Sequence, residues 1–377
     1  MIPTVTARPA RGLARGLARG PARGHARARA LALTAAAAVT LTAAGCARSE
    51  APTAASTAAG PAASAAATQA GGATCTADTL GYPKIDLKNA VVGFSQSEKE
   101  GNPFRIAETQ SIKDEANKLG VKQLLTTNAQ SDLNKQVSDI KSLLNQGAQL
   151  LVVAPLNSDG LQPALDAAKA KKVPVVTIDR KVTSKPCTDY LTFIGSNFVE
   201  QGKRAADAMV KATGGKGKVA ILLGASGNNV TTDRTKGFKD ELAASTGLSI
   251  VAEQTGEFER AKGQSVMEQL IQSNPDITAV YAENDEMGIG AVNALKAAGK
   301  TPGKDVTVVS IDGTRNAVQL IADGSYNAVI ESNPRFGPLA FDTLKKFEAG
   351  DAIPESIVIS DDAYDTSNAK DKVGDAY

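Results

Sequence analysis

At 377 residues, with 42 % apolar and 22 % charged side chains, the chain is long enough for two domains that each bury a core. The formal charge of +2 hides an asymmetry: seven arginines (Arg8, Arg11, Arg15, Arg19, Arg23, Arg27 and Arg29) lie before residue 30, so beyond it 42 − 7 = 35 bases face 40 acids, and this net-acidic body is a poor partner for nucleic-acid phosphates. The single histidine, His25, falls inside the arginine-rich leader, which excludes His-based triads, His-ligated zinc and imidazole acid–base chemistry from the rest of the chain.

The acid-free, Arg-rich start runs into an apolar stretch of small residues, 30–42, and then "TAAGC". A charged segment, a short apolar core and small residues in that order predict an export signal over 1–45, and the apolar run is too short to span a bilayer. Gly45-Cys46 resembles the lipobox of bacterial lipoproteins, with Ala43 where Leu is usual. It implies a lipid anchor on Cys46 that holds the chain to the outer face of the cytoplasmic membrane, with a plain secretory peptide cleaved elsewhere as the alternative. Residues 47–74 are almost entirely Ala, Ser, Thr, Pro and Gly, which predicts a disordered tether; the whole non-globular stretch is set at 46–87. Cys75 and Cys187 remain as an even pair in an oxidising compartment, expected as a disulfide, with two free thiols as the other possibility.

From residue 90 short apolar runs alternate with segments of helical period. Strands are predicted at 91–95, 123–126, 150–154, 175–178 and 191–194, with helices near 104–119, 132–146 and 160–171 between them. After a helix at 198–213 the pattern begins again, with strands at 219–223, 250–254, 279–282, 306–311 and 328–330 and helices near 233–244, 260–273, 286–298 and 315–322. Alternation of this kind, with continuously apolar strands, predicts an α/β chain of two doubly wound parallel-sheet lobes.

Ligands of open α/β sheets bind beyond the carboxyl ends of the strands. Those ends carry Ser95 and Gln96, Asp179 and Arg180, Asn284 and Asp285, Asp312, and Glu331. One polar residue after a strand is ordinarily a turn former or helix cap; the recurrence in both series points to a site. In "VVTIDR" (175–180) the apolar run stops on an acid beside a base. An Asp–Arg pair can hold adjacent hydroxyls of a sugar, although an internal ion pair that closes the loop is an equal reading of the dipeptide. Asp312 and Arg234 supply matching groups from the second series. Phe104, after "GNP", and Phe258, in "GEFERAKG", could sandwich a sugar ring, while each taken alone is read as core.

Together, "VGFSQ", "NPF" with "RIAETQ", "LLVVAP", "VVTIDR", "DRTKGF", "GEFERAKGQSVMEQLI", "YAENDEMGIGA" and "VVSIDGT" resemble, in content and in order over roughly 88–360, the type I periplasmic binding proteins of the ribose- and galactofuranose-binding kind. The resemblance implies two α/β lobes joined by a three-segment hinge, the first formed by 88–195 with 333–358 and the second by 196–332 with 359–377. It implies a monomer without cofactor or metal that closes on a monosaccharide, hands it to an ABC transporter permease, and makes no use of nucleic acid. By position, the sugar contacts fall on Asn102, Phe104, Arg105, Asp179, Arg180, Arg234, Phe258, Asn284 and Asp312, with Ser95, Gln96 and Glu331 added at strand ends and near the hinge. Ribose binders carry a second aromatic where this chain has Arg105, whereas galactofuranose binders carry Trp-Arg where it has Phe104-Arg105, so Arg105 favours the galactofuranose side.

Three rivals follow from the same residues. A repressor of this fold would carry a DNA-binding helix-turn-helix where the signal and tether stand. A sugar sensor feeding a chemoreceptor would share the cleft. A glycosidase could use Asp179 and Asp312 as its carboxylate pair, but Arg180 and Arg234 are expected to hold both ionised and leave no acid of raised pKa. "GGKGK" (214–218) precedes its strand and is read as a turn, not a phosphate loop.

Overall fold

A computed structural model describes residues 67–377. The predicted leader and Cys46 lie outside the described residues.

The chain begins with β1 (Ala67–Cys75), α1 (Ala77–Leu80) and a 3-10 turn over Leu87–Asn89. A first series follows: β2 (Val91–Gln96), α2 (Pro103–Leu119), β3 (Gln123–Asn128), α3 (Leu133–Asn145), β4 (Leu150–Val153), α4 (Gln162–Ala170), β5 (Val175–Ile178) and β6 (Thr192–Gly195). A second series comprises α5 (Phe198–Thr213), β7 (Gly217–Leu223), α6 (Asn229–Leu242), β8 (Leu248–Thr255), α7 (Arg260–Ser273), β9 (Ala279–Ala282), α8 (Asp285–Ala297), β10 (Thr307–Asp312), α9 (Arg315–Ala322) and β11 (Ala328–Glu331). The chain ends with α10 (Gly337–Ala349), β12 (Ile353–Ile359), β13 (Ala363–Asp365) and α11 (Ala369–Lys372).

Two sheets result. The first has the order β1-β12-β6-β5-β4-β2-β3, and the second β13-β11-β10-β9-β7-β8. All pairs are parallel except those made by the edge strands β1 and β13. The central strands β4, β5 and β9 are buried at every position, as parallel strands covered by helices on both faces must be. Each sheet separates two apolar clusters, one per face, with Phe94, Ile112 and Phe341 on one side of the first and Ile140, Leu165 and Phe193 on the other. The fold is the expected pair of doubly wound lobes.

The strand-end polar residues have local work as well. Asn102, Asp132, Asn197, Asn228, Asn284 and Thr314 each accept a backbone N–H in the first turn of α2, α3, α5, α6, α8 and α9. Helices α5 and α6 approach closely because Gly202 and Gly237 each face the backbone of the opposite helix: a Cβ would stand 2.1 Å from Arg234 O in one case and 1.9 Å from Val199 O in the other.

The chain passes between the lobes three times, after β6, after β11 and after β12. Asp361 gathers the crossings. Its Oδ1 accepts from Ser196 Oγ (3.1 Å) and Asn333 N (3.2 Å), and its Oδ2 from Gln201 Nε2 (2.7 Å).

The tether expected over 46–87 is corrected at its far end. Residues 67–75 form an edge strand antiparallel to β12, and 77–89 are folded onto the first lobe. Pairing at an edge draws on backbone groups that an Ala/Gly/Thr sequence supplies as well as any other, and the Cys75–Cys187 disulfide pins the strand to the loop before β6. The apolar pattern of the sequence predicts none of β12, β13 and α10. Pro354 within β12 and the lack of a continuous apolar run disguise that strand, which nonetheless buries Ile353, Ile357 and Ile359.

Candidate functional site

The carboxyl ends of β2 and β5 face those of β9 and β10 across a cavity of about 330 Å³, its open mouth included. Glu98, Asn102, Phe104, Arg105, Asp179 and Arg180 line it from the first lobe, and Val230, Arg234, Phe258, Asn284 and Asp312 from the second. Beyond Phe258 it widens into an open cleft bordered by Lys99, Asn157, Ser226 and Arg260.

The first-lobe wall is a charge network. Arg105 donates from Nε to Glu98 Oε2 (2.9 Å) and from Nη1 to Glu108 Oε2 (2.8 Å) and Asp179 Oδ2 (2.7 Å). Arg180 donates from Nη2 to Glu98 Oε1 (2.8 Å) and from Nη1 to Leu156 O (2.8 Å). Its Nε stands 3.7 Å from Asp179 Oδ2, too far for a hydrogen bond, and is buried without a hydrogen-bond partner among the described residues. Glu98 therefore bridges two guanidiniums. Burial alone would raise its carboxyl, but Arg180 and Arg105 hold it down at about 2. Burial opposes the charge on Arg105 too, and Asp179, Glu108 and Glu98 outweigh it, so the guanidinium stays ionised. Behind this wall burial pushes Glu108 up to about 7.

In the second lobe Arg234 donates from Nε to Gln201 Oε1 (3.0 Å) and from Nη1 to Glu283 O (2.5 Å), with Asp312 Oδ1 3.6 Å from Nη1. Asn284 donates from Nδ2 to Phe258 O (3.1 Å), which ties the aromatic to the end of β9. Asp179 and Asp312 occupy equivalent places at the carboxyl ends of β5 and β10, and both have positive φ, 64° and 144°. Phe258 joins them at 62°. Such backbone is costly for residues with a Cβ and collects at functional sites.

Of the residues singled out in the sequence, nine line the cavity. Ser95, Gln96 and Glu331 do not. Ser95, within β2, is buried against Gln136, and Gln96 Nε2 donates to Glu108 Oε2 (2.9 Å) and Thr109 Oγ1 (3.1 Å), so both support the wall from behind. Glu331 Oε2 accepts from Asp362 N (2.8 Å) at a crossing segment. Asp285, also at a strand end, is spent on Ser310 Oγ, Gly313 N and Thr314. The expectation that Arg234 holds Asp312 ionised is corrected. Burial pushes that carboxyl up, because the guanidinium directs its short bonds to Gln201 and Glu283 and leaves only the 3.6 Å approach. Glu98 and Val230 escaped the sequence reading: nothing in "SEKEGNPF" separates Glu98 from Glu100, and Val230 carries no polar signal.

The model of the periplasmic binding protein domain matches residues 92–351. The chain belongs to this family. Among its relatives is the galactofuranose-binding protein YtfQ of Escherichia coli (strain K12), 36 % identical over 273 residues, which are 71 % of this chain and 85 % of that one. Similar solved structures include two with a bound furanose. The binding component of the arabinose ABC transporter from Shewanella sp. ANA-3, bound to α- and β-L-arabinofuranose, is 35 % identical with a TM-score of 0.72 over 75 % of this chain and 94 % of that chain. A Mycobacterium smegmatis protein in complex with β-D-fucofuranose is 37 % identical with a TM-score of 0.72 over 75 % and 93 %. With Asp312 protonation favoured by burial, ionisation no longer argues against a carboxylate-pair enzyme. The galactofuranose-binding relative and the arabinose transporter component are binding proteins.

Proposed function

We propose that the chain is the exported solute-binding subunit of a carbohydrate ABC importer, which captures a monosaccharide in furanose form between its lobes and presents it to the permease. Nearest to a deciding observation is the makeup of the cavity. Carboxylates, guanidiniums and an amide from both lobes meet there with Phe104 and Phe258, and the buried Arg180 Nε has no hydrogen-bond acceptor among the described residues. A furanose presents hydroxyls around a small ring with a C–H face, the complement of such a wall. The furanoses held by the similar structures, and the name of the galactofuranose-binding relative, support the same class of solute. In this reading Asn102, Phe104, Arg105, Asp179 and Arg180 contact the sugar from one lobe and Arg234, Phe258, Asn284 and Asp312 from the other. We also assign the leader to export and Cys46 to lipid anchoring, on the strength of the sequence pattern.

Bonds to both lobes exist together only when the cleft is shut, so the sugar shifts the population to the closed form. Thermal unfolding with a panel of furanosides, pyranoses and polyols in excess tests the proposal. A sugar at about a thousand times its Kd should stabilise by roughly 4 kcal/mol, seen as a rise of a few degrees in Tm. One furanose lifting Tm is the expected result, and no shift across the panel overturns it.

A further inference from the structure

Tyr377 belongs to none of the motifs read in the sequence, yet it joins the two lobes beside the cavity. Its backbone is bonded to the second lobe: Tyr377 N donates to Gly313 O (3.4 Å), and Arg315 N donates to Tyr377 O (2.7 Å). The neighbouring Ala376 is buried in that lobe's core with Val308, Val318 and Tyr364. The side chain goes the other way. It packs against the core of the first lobe, its ring edge-on to Phe104 with centroids 6.2 Å apart and planes at 78°. The Arg335 guanidinium lies 5.7 Å from the ring centroid, and Arg335 Nη2 donates to Asp375 O (3.4 Å).

Phe104 is a lining residue, and its seat has three sides. The Arg105 guanidinium lies 5.0 Å from its ring centroid, Phe336 lies 6.4 Å away just past a crossing segment, and Tyr377 comes from the opposite lobe. Arg105 and Phe336 accompany Phe104 through any opening of the cleft, whereas Tyr377 is carried by the backbone of the other lobe.

We propose that Tyr377 is a positioning residue of the cavity, a key from the second lobe that seats the Phe104 ring when the lobes close. The ring does this and not the hydroxyl, which is buried without a hydrogen-bond partner among the described residues. Loss of the ring should therefore both open the molecule and loosen Phe104, and loss of the hydroxyl alone should do neither. The effect on affinity rests on the sugar-binding reading, and the effect on lobe spacing does not.

The test uses the full chain with spin labels on Gln146→Cys and Gln269→Cys, exposed positions in the first and second lobes. Interlobe distances are measured by pulsed electron resonance, and Kd and dissociation rate are measured for methyl β-D-galactofuranoside and L-arabinose. Tyr377→Ala is expected to lengthen the distance distribution and to raise Kd at least tenfold, mostly through faster dissociation. Tyr377→Phe should match the parent within about threefold on both counts. Parent-like distances in Tyr377→Ala overturn the proposal, whether or not either sugar binds; parent-like affinity with a lowered Tm overturns it equally, by making Tyr377 a stability residue. Should Tyr377→Ala not fold, Tyr377→Leu, which cannot reach Phe104 with a ring edge, is read in the same way. If the parent binds neither sugar nor any other of the panel, the sugar reading fails, while the closed fraction in the unliganded distance distributions, smaller in Tyr377→Ala than in the parent if the key holds, still decides the fate of the key.

Discussion

Glu98 shows how the residue scale departs from motif reading. Asp179 and Arg180 were legible because they close a continuously apolar strand, where a buried charge is conspicuous. The third member of their network comes from the loop before α2, and only folding brings it 82 residues along the chain to Arg180. It also changes what the pair is. Arg180 is held by Glu98 and Leu156 O, and Asp179 by Arg105, so the two neighbours scarcely bond one another. Removing the charge of Glu98 leaves two guanidiniums facing each other in a buried wall, a situation that costs on the order of 1–3 kcal/mol or more. Glu98→Gln should therefore raise Kd for the sugar that binds about tenfold or more by calorimetry. An unchanged Kd would remove Glu98 from the site.

The element scale sets what a period can and cannot reveal. Strands such as β4 and β9 and helices such as α5 and α7 were readable to within two residues because buried parallel strands and amphipathic helices impose strong patterns. The sequence of the edge strand β1 reads as tether because its pairing uses backbone and because a cross-link ties its end to the sheet. Cys75 and Cys187 lie 112 residues apart, and closing so long a loop constrains the unfolded chain by roughly 4–5 kcal/mol in the chain-entropy account. The bond sits at the amino ends of β5 and β6, where Leu191 N donates to Val175 O, away from the carboxyl ends that face the cavity. The double variant Cys75→Ser with Cys187→Ser should thus lower Tm by several degrees and leave Kd within about twofold. A large loss of affinity would show that the edge of the sheet reaches the site.

At the scale of the whole molecule, sequence order foretold two lobes, while the protonation of the interior depended on three-dimensional burial. Glu108 in the first lobe and Glu283 and Glu331 in the second are all pushed up to about 7, chiefly by burial. Such an acid keeps a proton that the unfolded chain releases, so the stability it lends is present below about 4.5 and is lost as pH rises towards 7. For Glu283, which accepts from Gly224 N (2.7 Å) and from Thr235, the loss is roughly 3 kcal/mol. Glu98 acts with the opposite sign, but only as pH falls below about 4.5 towards 2. Tm should therefore fall between pH 5 and pH 8, and Glu283→Gln should flatten that slope. A Tm that rises over this range would contradict the burial argument.

The carboxylate of Asp361 has a mechanical consequence. The carboxylate rides on the third strap and accepts from the other two, through Ser196 on the first and Asn333 N on the second, so the straps cannot slide past one another without breaking a bond to that group, whereas a twist about it spares both. The joint is then a single axle, not a sliding bearing. A molecule with one axle opens along the arc by which it shuts, so whatever the jaws take in must leave through the same gap.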